Sequence, residues 1–555
     1  MSAQEIVTPP PAPITYFPTG EPRPAQVKAL DFIDRAYQAG YRDIVVEAPT
    51  GTGKSFIASA AALWGQTLPL EGMPGGYVLV NQKLLQDQMA VDLARFRTDM
   101  GKAALIKSAV EYACPKHKLC SLGGTQSKDS GSDTPRPKCA LRENGNCTYQ
   151  VAKAAFISAP LSVTNYAYFF TERAYVGKLR PRRVLCCDEC HNLARLIIRQ
   201  VDVTVSTTTL VKFTGQKAAE KLAPQFEKLK TLAKFLEWLP SNYLPAVYEH
   251  VEDTQAVASG DHGDEKMARL AHQVEQHFLK CKAALERIRH DASDWIFWQE
   301  EVRDGLDLTA RPLEAAPFFK EMVGSGGTLR IYLSAYPGPR RPFCQELGLD
   351  PGTVAWISLG SSFPVENRPV FLTTVGSLAR ARQKETLPAA LRMLKRILDK
   401  HANERGIIHS HSYLLAEATA KSLEGTPHAA RLLFPKKADD REAALTDHKK
   451  RPDSILISPS IAEGFDFKDD LARFQVIIKC PYPSLGDKQV AAKLARDQSW
   501  YEAETLKTIL QACGRICRSE TDHGSTYVLD EDAARLLRQH WDELPRWFTR
   551  AIVEM

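Results

Sequence analysis

Short apolar runs, each leading into a segment of helical period, recur along this chain. Ile44, Val45 and Val46 form one; Tyr77–Val80, Arg183–Cys187 and Leu329–Leu333 form others. More fall near Val354–Ile357, Val370–Thr373, Gly406–His409, Ser454–Ile457, Gln475–Lys479 and Ser525–Leu529. Runs this short, followed by helix signals, predict parallel strands covered on both faces. The fold class is therefore α/β, in two lobes with mainly parallel sheets.

The pattern is interrupted from about Thr204 to Phe319. Leu222, Phe226, Leu229, Leu232, Leu236 and Leu239 recur there at three- and four-residue steps. So do Met267, Leu270, Val274, Phe278, Cys281, Leu285 and Ile288. Two such stripes predict an antiparallel helical insertion. Trp295, Phe297 and Trp298 follow; bases could stack on them, but aromatic core is the simpler reading. Ahead of the first strand, Arg23-Pro24-Ala25-Gln26 opens an amphipathic helix (Val27, Leu30, Ile33, Tyr37). Gln26 either reads an adenine edge or caps that helix.

Chemistry enters after the first strand, at Ala48, Pro49, Thr50, Gly51, Thr52, Gly53, Lys54 and Ser55. This is strand, glycine loop, helix N-terminus, the geometry a triphosphate needs. Backbone N–H groups and the helix dipole converge on the phosphates, lysine reaches the β and γ groups, and the serine hydroxyl takes magnesium. Ala48 stands where a first glycine is usual.

The run at Arg183–Cys187 leads into Asp188-Glu189-Cys190-His191. A carboxylate at a strand end, expected next to the P-loop strand, makes the second magnesium contact. Glu189 is placed to orient and deprotonate the attacking water, and His191 to sense the γ-phosphate across to another lobe. Cys186, Cys187 and Cys190 read as buried strand thiols. Far along the chain, Gln511-Ala512-Cys513-Gly514-Arg515-Ile516-Cys517-Arg518 reads as helix. Gln511 and Arg515, and Gly514 and Arg518, are four apart and share one polar face. Two arginines there fit fingers that stabilise charge on a transferring phosphoryl group. Glycine at a helix centre costs about 1 kcal/mol, so Gly514 points to close approach. Ser460–Phe467, with Glu463, Gly464 and Asp466, is the other candidate segment of the second lobe.

Between Ser108 and Tyr149 periodicity is lost and Cys114, Cys120, Cys139 and Cys147 appear, spaced C-x5-C, x18, C-x7-C. The middle of this segment is rich in Gly, Ser, Asp and Pro and has no apolar core of its own. A loop this long needs a reason, which four thiolates on one metal centre would supply. Structural zinc uses tighter pairs; looser spacing suits an iron–sulfur cluster; unligated cysteines are the third reading.

Bulk properties add limits. The 555 residues suffice for about three or four domains. The net charge of +6 permits a polyanion partner without arguing for one. No apolar run approaches the roughly 18 residues of a membrane span. Met1–Pro13 has no basic-then-apolar signal pattern, so a cytoplasmic protein is expected. Its twelve cysteines then read as thiols or metal ligands.

The order of motifs, from P-loop through cysteine-bearing insertion, Asp-Glu-x-His, helical insertion, Ser334-Ala335, Glu-Gly-x-Asp and Gln-x-x-Gly-Arg-x-x-Arg, resembles the XPD/DinG family of superfamily 2 helicases. The resemblance runs from about Phe17 to Asp530. It implies two RecA-like P-loop motor domains with ATP between them, plus an inserted iron–sulfur domain and an inserted helical arch domain. By motif, Lys54, Ser55, Asp188, Glu189, Gln511, Arg515 and Arg518 would serve ATP and Mg2+. Cys114, Cys120, Cys139 and Cys147 would hold a four-iron, four-sulfur (4Fe–4S) cluster, and Glu463, Gly464 and Asp466 would link ATP state to DNA grip. The division implied is 1–204 with 320–343 for the first motor, 108–150 for the cluster domain, 205–319 for the arch and 344–555 for the second motor. The implied activity is 5′ to 3′ movement of a monomer on single-stranded and forked duplex DNA. A translocase that strips proteins or R-loops, or a redox-responsive, nucleotide-switched DNA-binding module, would share these motifs. Tyr336 stands where the threonine of Ser-Ala-Thr is usual.

Overall fold

Asp43–Glu47 folds as strand β1 with every residue buried, as a parallel strand covered on both faces requires. The computed structural model describes residues 10–81, 103–112, 144–176, 179–259, 265–435, 440–458, 467 and 469–554. After β1 come β2 (Met73–Val80), β3 (Ala103–Leu105), β4 (Leu161–Asn165) and β5 (Arg182–Asp188). An insertion carries β6 (Val203–Ser206), β7 (Trp295–Val302) and β8 (Gly305–Pro312), and the chain returns through β9 (Gly327–Ser334) and β10 (Val354–Ser358). The first sheet has the order β10-β1-β9-β5-β2-β4-β3, and every pairing in it is parallel.

Two expectations change here. β9 lies between β1 and β5, so Asp188 is one strand removed from the P-loop strand rather than beside it. β10, expected in the second lobe, pairs with β1 at the edge of the first sheet. The first lobe therefore continues through Ser358 instead of ending at 343. An apolar run announces a strand but not the sheet it joins.

Helices cover both faces. Pro24–Gln38 and Lys54–Trp64 bring Leu30, Ile33 and Ile57 onto Ile44 and Val46. On the other face Phe156, Phe169, Ile197 and Phe343 pack with Val45, Leu185 and Tyr332. The second lobe holds β11 (Val370–Leu372), β12 (Gly406–His409), β13 (Leu432–Leu433), β14 (Ile455–Ser458), β15 (Phe474–Ile477), β16 (Ser525–Val528) and β17 (Ile552–Glu554). Their order is β13-β14-β12-β15-β16-β11-β17, again parallel throughout.

The insertion is helical but closes on a sheet. β7 and β8 form an antiparallel hairpin that also pairs with β6. Trp295 is buried in the insertion's core and Phe297 packs against it, so both belong to packing. Trp298 carries the Arg311 guanidinium 5.3 Å from its ring centroid. The stripe from Leu222 to Leu239 is divided among several short helices, whereas Glu265–His290 is one helix of 26 residues. Among the described residues no helix is long and apolar enough to cross a membrane.

Candidate nucleotide site at the lobe interface

The loop after β1 is shaped by its glycines. Gly51 and Gly53 have φ of 83° and 80°, values that L side chains rarely adopt. A Cβ at Gly51 would stand 2.0 Å from Phe363 Cζ, and one at Gly53 2.4 Å from Gln26 Nε2. Thr52 ties the turn by donating its hydroxyl to the Pro49 carbonyl at 2.6 Å. The helix Lys54–Trp64 starts on Gly53 with no side-chain cap. While the Phe56 N–H bonds the Gly53 carbonyl at 3.0 Å, the Lys54 and Ser55 N–H groups at the very start have no carbonyl within the helix to bond and suit an anion.

Gln26 settles on the loop. Its Oε1 accepts the Arg23 N–H at 2.8 Å, its Nε2 reaches the Gly53 carbonyl at 3.5 Å, and the side chain is buried. Of the two readings of Gln26, the geometry favours the cap, here doubling as a brace for the loop. Arg23 donates to the Gly51 carbonyl at 2.8 Å. Phe363, in the connection between the lobes, closes the outer side of the loop. Sequence reasoning missed it, because a lone aromatic in a polar linker carries no pattern.

Across from the loop, β5 ends on Asp188. The Tyr166 hydroxyl donates to the Asp188 carbonyl at 2.7 Å. Glu189 turns into the left-handed region at φ 49°, so that its N–H bonds Asp188 Oδ1 at 3.0 Å while its own carboxylate faces Lys54 Nζ at 3.8 Å. Lys54 also reaches the Ala48 carbonyl at 3.4 Å. Burial, and then the neighbouring Glu189 charge, lift the Asp188 carboxyl above its ordinary range. For Glu189 burial acts the same way, but Lys54, His191 and Arg518 outweigh it and hold the carboxyl low. One acid is thus kept charged by cations from both lobes.

His191 stays within its lobe. Its Nδ1 lies 2.9 Å from the Ser334 hydroxyl, at the end of β9, and 3.2 Å from Glu189 Oε2. Asn192 Nδ2 approaches Nε2 at 2.6 Å. The intervening β9 supplies Ser334 as the Nδ1 neighbour. Cys186, Cys187 and Cys190 are buried thiols, and burial pushes Cys187 up to about 12.

In the second lobe the helix Gln498–Cys513 stops where the sequence suggested it continued. Gly514 is its C-cap, so Arg515 and Arg518 sit in the following turn, not on a helical face. The helix cost assigned to Gly514 does not apply; its φ is −83°. Gly514 does approach the loop, since a Cβ there would lie 3.6 Å from Thr50 Oγ1, an ordinary contact. The turn is pinned by Asp522, which accepts the Arg518 N–H at 2.9 Å and pairs with Arg473 at 2.8 Å. The Arg518 charge reaches Glu189; that of Arg515 is felt at buried His409. Gln511 lies in the last turn of the helix.

Cys114, Cys120, Cys139, Glu463, Gly464 and Asp466 lie outside the described residues. Cys147 is half-buried and precedes the helix Thr148–Ser158. Among the described residues no group of three or more His, Cys, Asp or Glu is placed to hold a metal ion.

Residues 394–551 match the helicase C-terminal domain family, and residues 19–216 match the type III restriction enzyme res subunit family. The ATP-dependent DNA helicase YoaA of Haemophilus influenzae is 22% identical over 94% of this chain and 92% of its own length. Among solved structures, an XPD helicase superposes with a TM-score of 0.62 at 16% identity, over 96% of this chain and 100% of that one. S. tokodaii Xpd4 does so at 0.55 and 13%, over 96% and 100%. These structures share the fold of both lobes, and the sequence match to YoaA spans them end to end. Together these matches support an XPD/DinG-like superfamily 2 helicase.

Proposed function

We propose that the protein is an ATP-dependent DNA helicase that moves 5′ to 3′ along single-stranded DNA and separates forked duplex as a monomer. The observation that carries this reading is the meeting of two lobes at one loop: Thr50 lies against Gly514, and the Arg518 charge reaches Glu189 beside Lys54. A site that only stored a nucleotide would not need an arginine turn of the other lobe brought up to the loop that carries Lys54 and faces Glu189.

The residues fit magnesium and ATP. Positive φ at Gly51 and Gly53, the uncapped helix and Lys54 form a phosphate cradle, with Ser55 and Asp188 as the magnesium ligands. Magnesium held there would supply charge neutralisation for the transferring phosphoryl group. Glu189 would accept the proton of the attacking water, since Lys54 and His191 keep its carboxylate available. His191 would hold Glu189 in register with Ser334. Arg518, with Arg515 beside it, would stabilise charge on the γ-phosphoryl group once the lobes close. Alternate closing and reopening would shift one lobe along the strand, with grip mainly through phosphates and stacking.

Within this reading the insertion that carries β6, β7 and β8 is the arch. Cys114, Cys120, Cys139 and Cys147 would hold a 4Fe–4S cluster that keeps the wedge at the fork in shape. Glu463, Gly464 and Asp466 would couple ATP state to DNA grip. The test is ATP hydrolysis with and without single-stranded DNA. DNA-stimulated turnover in the wild type and none in Lys54→Ala supports the reading; turnover indifferent to DNA, or surviving in Lys54→Ala, overturns it.

A further inference from the structure

The helix Gln498–Cys513 is held to the first lobe at a point remote from the nucleotide loop. Glu346, on the first-lobe helix Arg340–Leu347, accepts the Trp500 indole N–H at 2.7 Å and pairs with Lys493 at 3.1 Å and Lys507 at 3.5 Å. Trp500 and Lys507 belong to the helix Gln498–Cys513, and Lys493 to Lys488–Arg496 just before it. Lys493 also stacks 4.2 Å above the Trp500 ring and faces Glu314, between β8 and the helix Ala316–Met322, at 3.7 Å. Lys507 pairs with Glu504 on its own helix. The side chains of Lys493 and Lys507 are only 5% and 8% exposed, so this is a buried ion cluster between lobes.

Its placement on the helix is informative. Trp500, Glu504, Lys507 and Gln511 follow one another at four, three and four residues, which puts them on one face. The face that grips Glu346 near the start of the helix is the face presented to the nucleotide loop at its end, where Gly514 meets Thr50. A helix of 16 residues is about 24 Å long and stiff, so its anchorage fixes where its C-terminal turn points. A second contact lies between the ends. Tyr336, in the loop after β9, is buried in the second lobe's core with Leu506, Ile509 and Leu510. Gly338, two residues on, would bring a Cβ within 3.3 Å of Lys507 Cδ.

We propose that Glu346 is a positioning residue for ATP hydrolysis, setting from the first lobe the register of the helix that delivers Arg515 and Arg518 to the nucleotide loop. The inference rests on the functional reading above. Buried ion clusters contribute little net stability against apolar replacements, while fixing one geometry is their best-attested use. Two lysines and an indole on one carboxylate admit a single arrangement of the helix. Among the described residues the cluster's hydrogen bonds and ion pairs do not reach the P-loop, Asp188 or Glu189, although the Lys507 charge is felt at Cys190. Its loss should therefore act mainly on the fingers and leave nucleotide binding alone.

The experiment is steady-state ATP hydrolysis by the full chain with saturating oligo-dT, beside a thermal melt of each protein. Glu346→Gln, which keeps the shape but removes the charge, should lower kcat about tenfold or more with KM for ATP within about twofold. Trp500→Phe, which removes only the indole N–H, should lower kcat less, with the same split. Lys507→Gln added to Glu346→Gln should cost no more than the worse single change, because both act through one network. A folded Glu346→Gln protein with unchanged kcat overturns the proposal. So does a KM that rises in step with the fall in kcat, or a loss explained by the unfolded fraction alone. Should Glu346→Gln not fold, Trp500→Phe decides by the same split. A wild type without ATP turnover would defeat the functional reading and this inference with it; a normal wild type with unaffected variants defeats the inference alone.

Discussion

Replacing Gly51 with alanine tests whether the loop's shape is what binds nucleotide. At φ 83° an L residue pays about 1–2 kcal/mol that glycine does not. The added Cβ would also stand 2.0, 2.8 and 3.0 Å from three atoms of the Phe363 ring, where contact normally begins at about 3.5 Å. Phe363 is 7% exposed, and its backbone is fixed by its N–H to Ser361 Oγ at 3.1 Å and by its carbonyl, which accepts from Arg368 at 3.3 Å. Overpacking of this kind costs about 1–3 kcal/mol, so the native loop in Gly51→Ala is disfavoured by about 2–5 kcal/mol. At 1.4 kcal/mol per decade, the affinity for Mg·ATP should fall about thirtyfold or more. Titration of a fluorescent ATP analogue measures this, with a melting curve as the control for folding. Adding Phe363→Ala removes the overlap but not the backbone cost. The double variant should therefore still bind about five- to thirtyfold more weakly than Phe363→Ala alone. Gly51→Ala binding within twofold of wild type, or a double variant equal to Phe363→Ala, would refute the reasoning.

Arg518→Ala should cut ATP turnover about a thousandfold while the analogue still binds, and Arg515→Ala should act less, since the Arg518 charge is the one felt at Glu189; kcat and binding measured side by side check this. Tyr336→Phe should raise the melting temperature by about 2–4 °C. Its buried hydroxyl has no hydrogen-bond partner among the described residues, and leaving one so costs about 1–3 kcal/mol. Cys147→Ser should lose iron, brown colour and strand separation yet keep DNA-stimulated ATP hydrolysis, as read by metal analysis and the two assays; stoichiometric zinc in colourless wild type would favour a zinc centre instead.

Much of the fold is legible in the sequence because buried parallel strands leave compact apolar signatures. β1, β5, β9 and β12 fall where Ile44–Val46, Arg183–Cys187, Leu329–Leu333 and Gly406–His409 announce them. What the runs do not encode is neighbourhood. β9 separates Asp188 from the P-loop strand and gives His191 its Ser334 partner, and β10 joins the first sheet, through pairings between distant segments. Local period also misleads at a helix end. Gln511, Arg515 and Arg518 keep helical spacing, but Gly514 caps the helix and the arginines continue in a turn pinned by Asp522. The β7–β8 hairpin turns at Arg303-Asp304, with Val302 opposite Gly305, and the aromatic cluster ahead of it reads as core without saying which element carries it. Glu346 carried no signal: a glutamate on an amphipathic helix looks solvated until the lysines of another lobe are seen around it.

Strand separation on tailed duplexes tests the central claim most directly. With Mg·ATP the wild type should release the strand from a duplex bearing a 5′ single-stranded tail, act far more weakly on a 3′ tail, and do neither as Lys54→Ala. DNA-stimulated ATP hydrolysis without release from either substrate would contradict the claim that this motor is a helicase, and release from the 3′ tail alone would reverse its proposed direction.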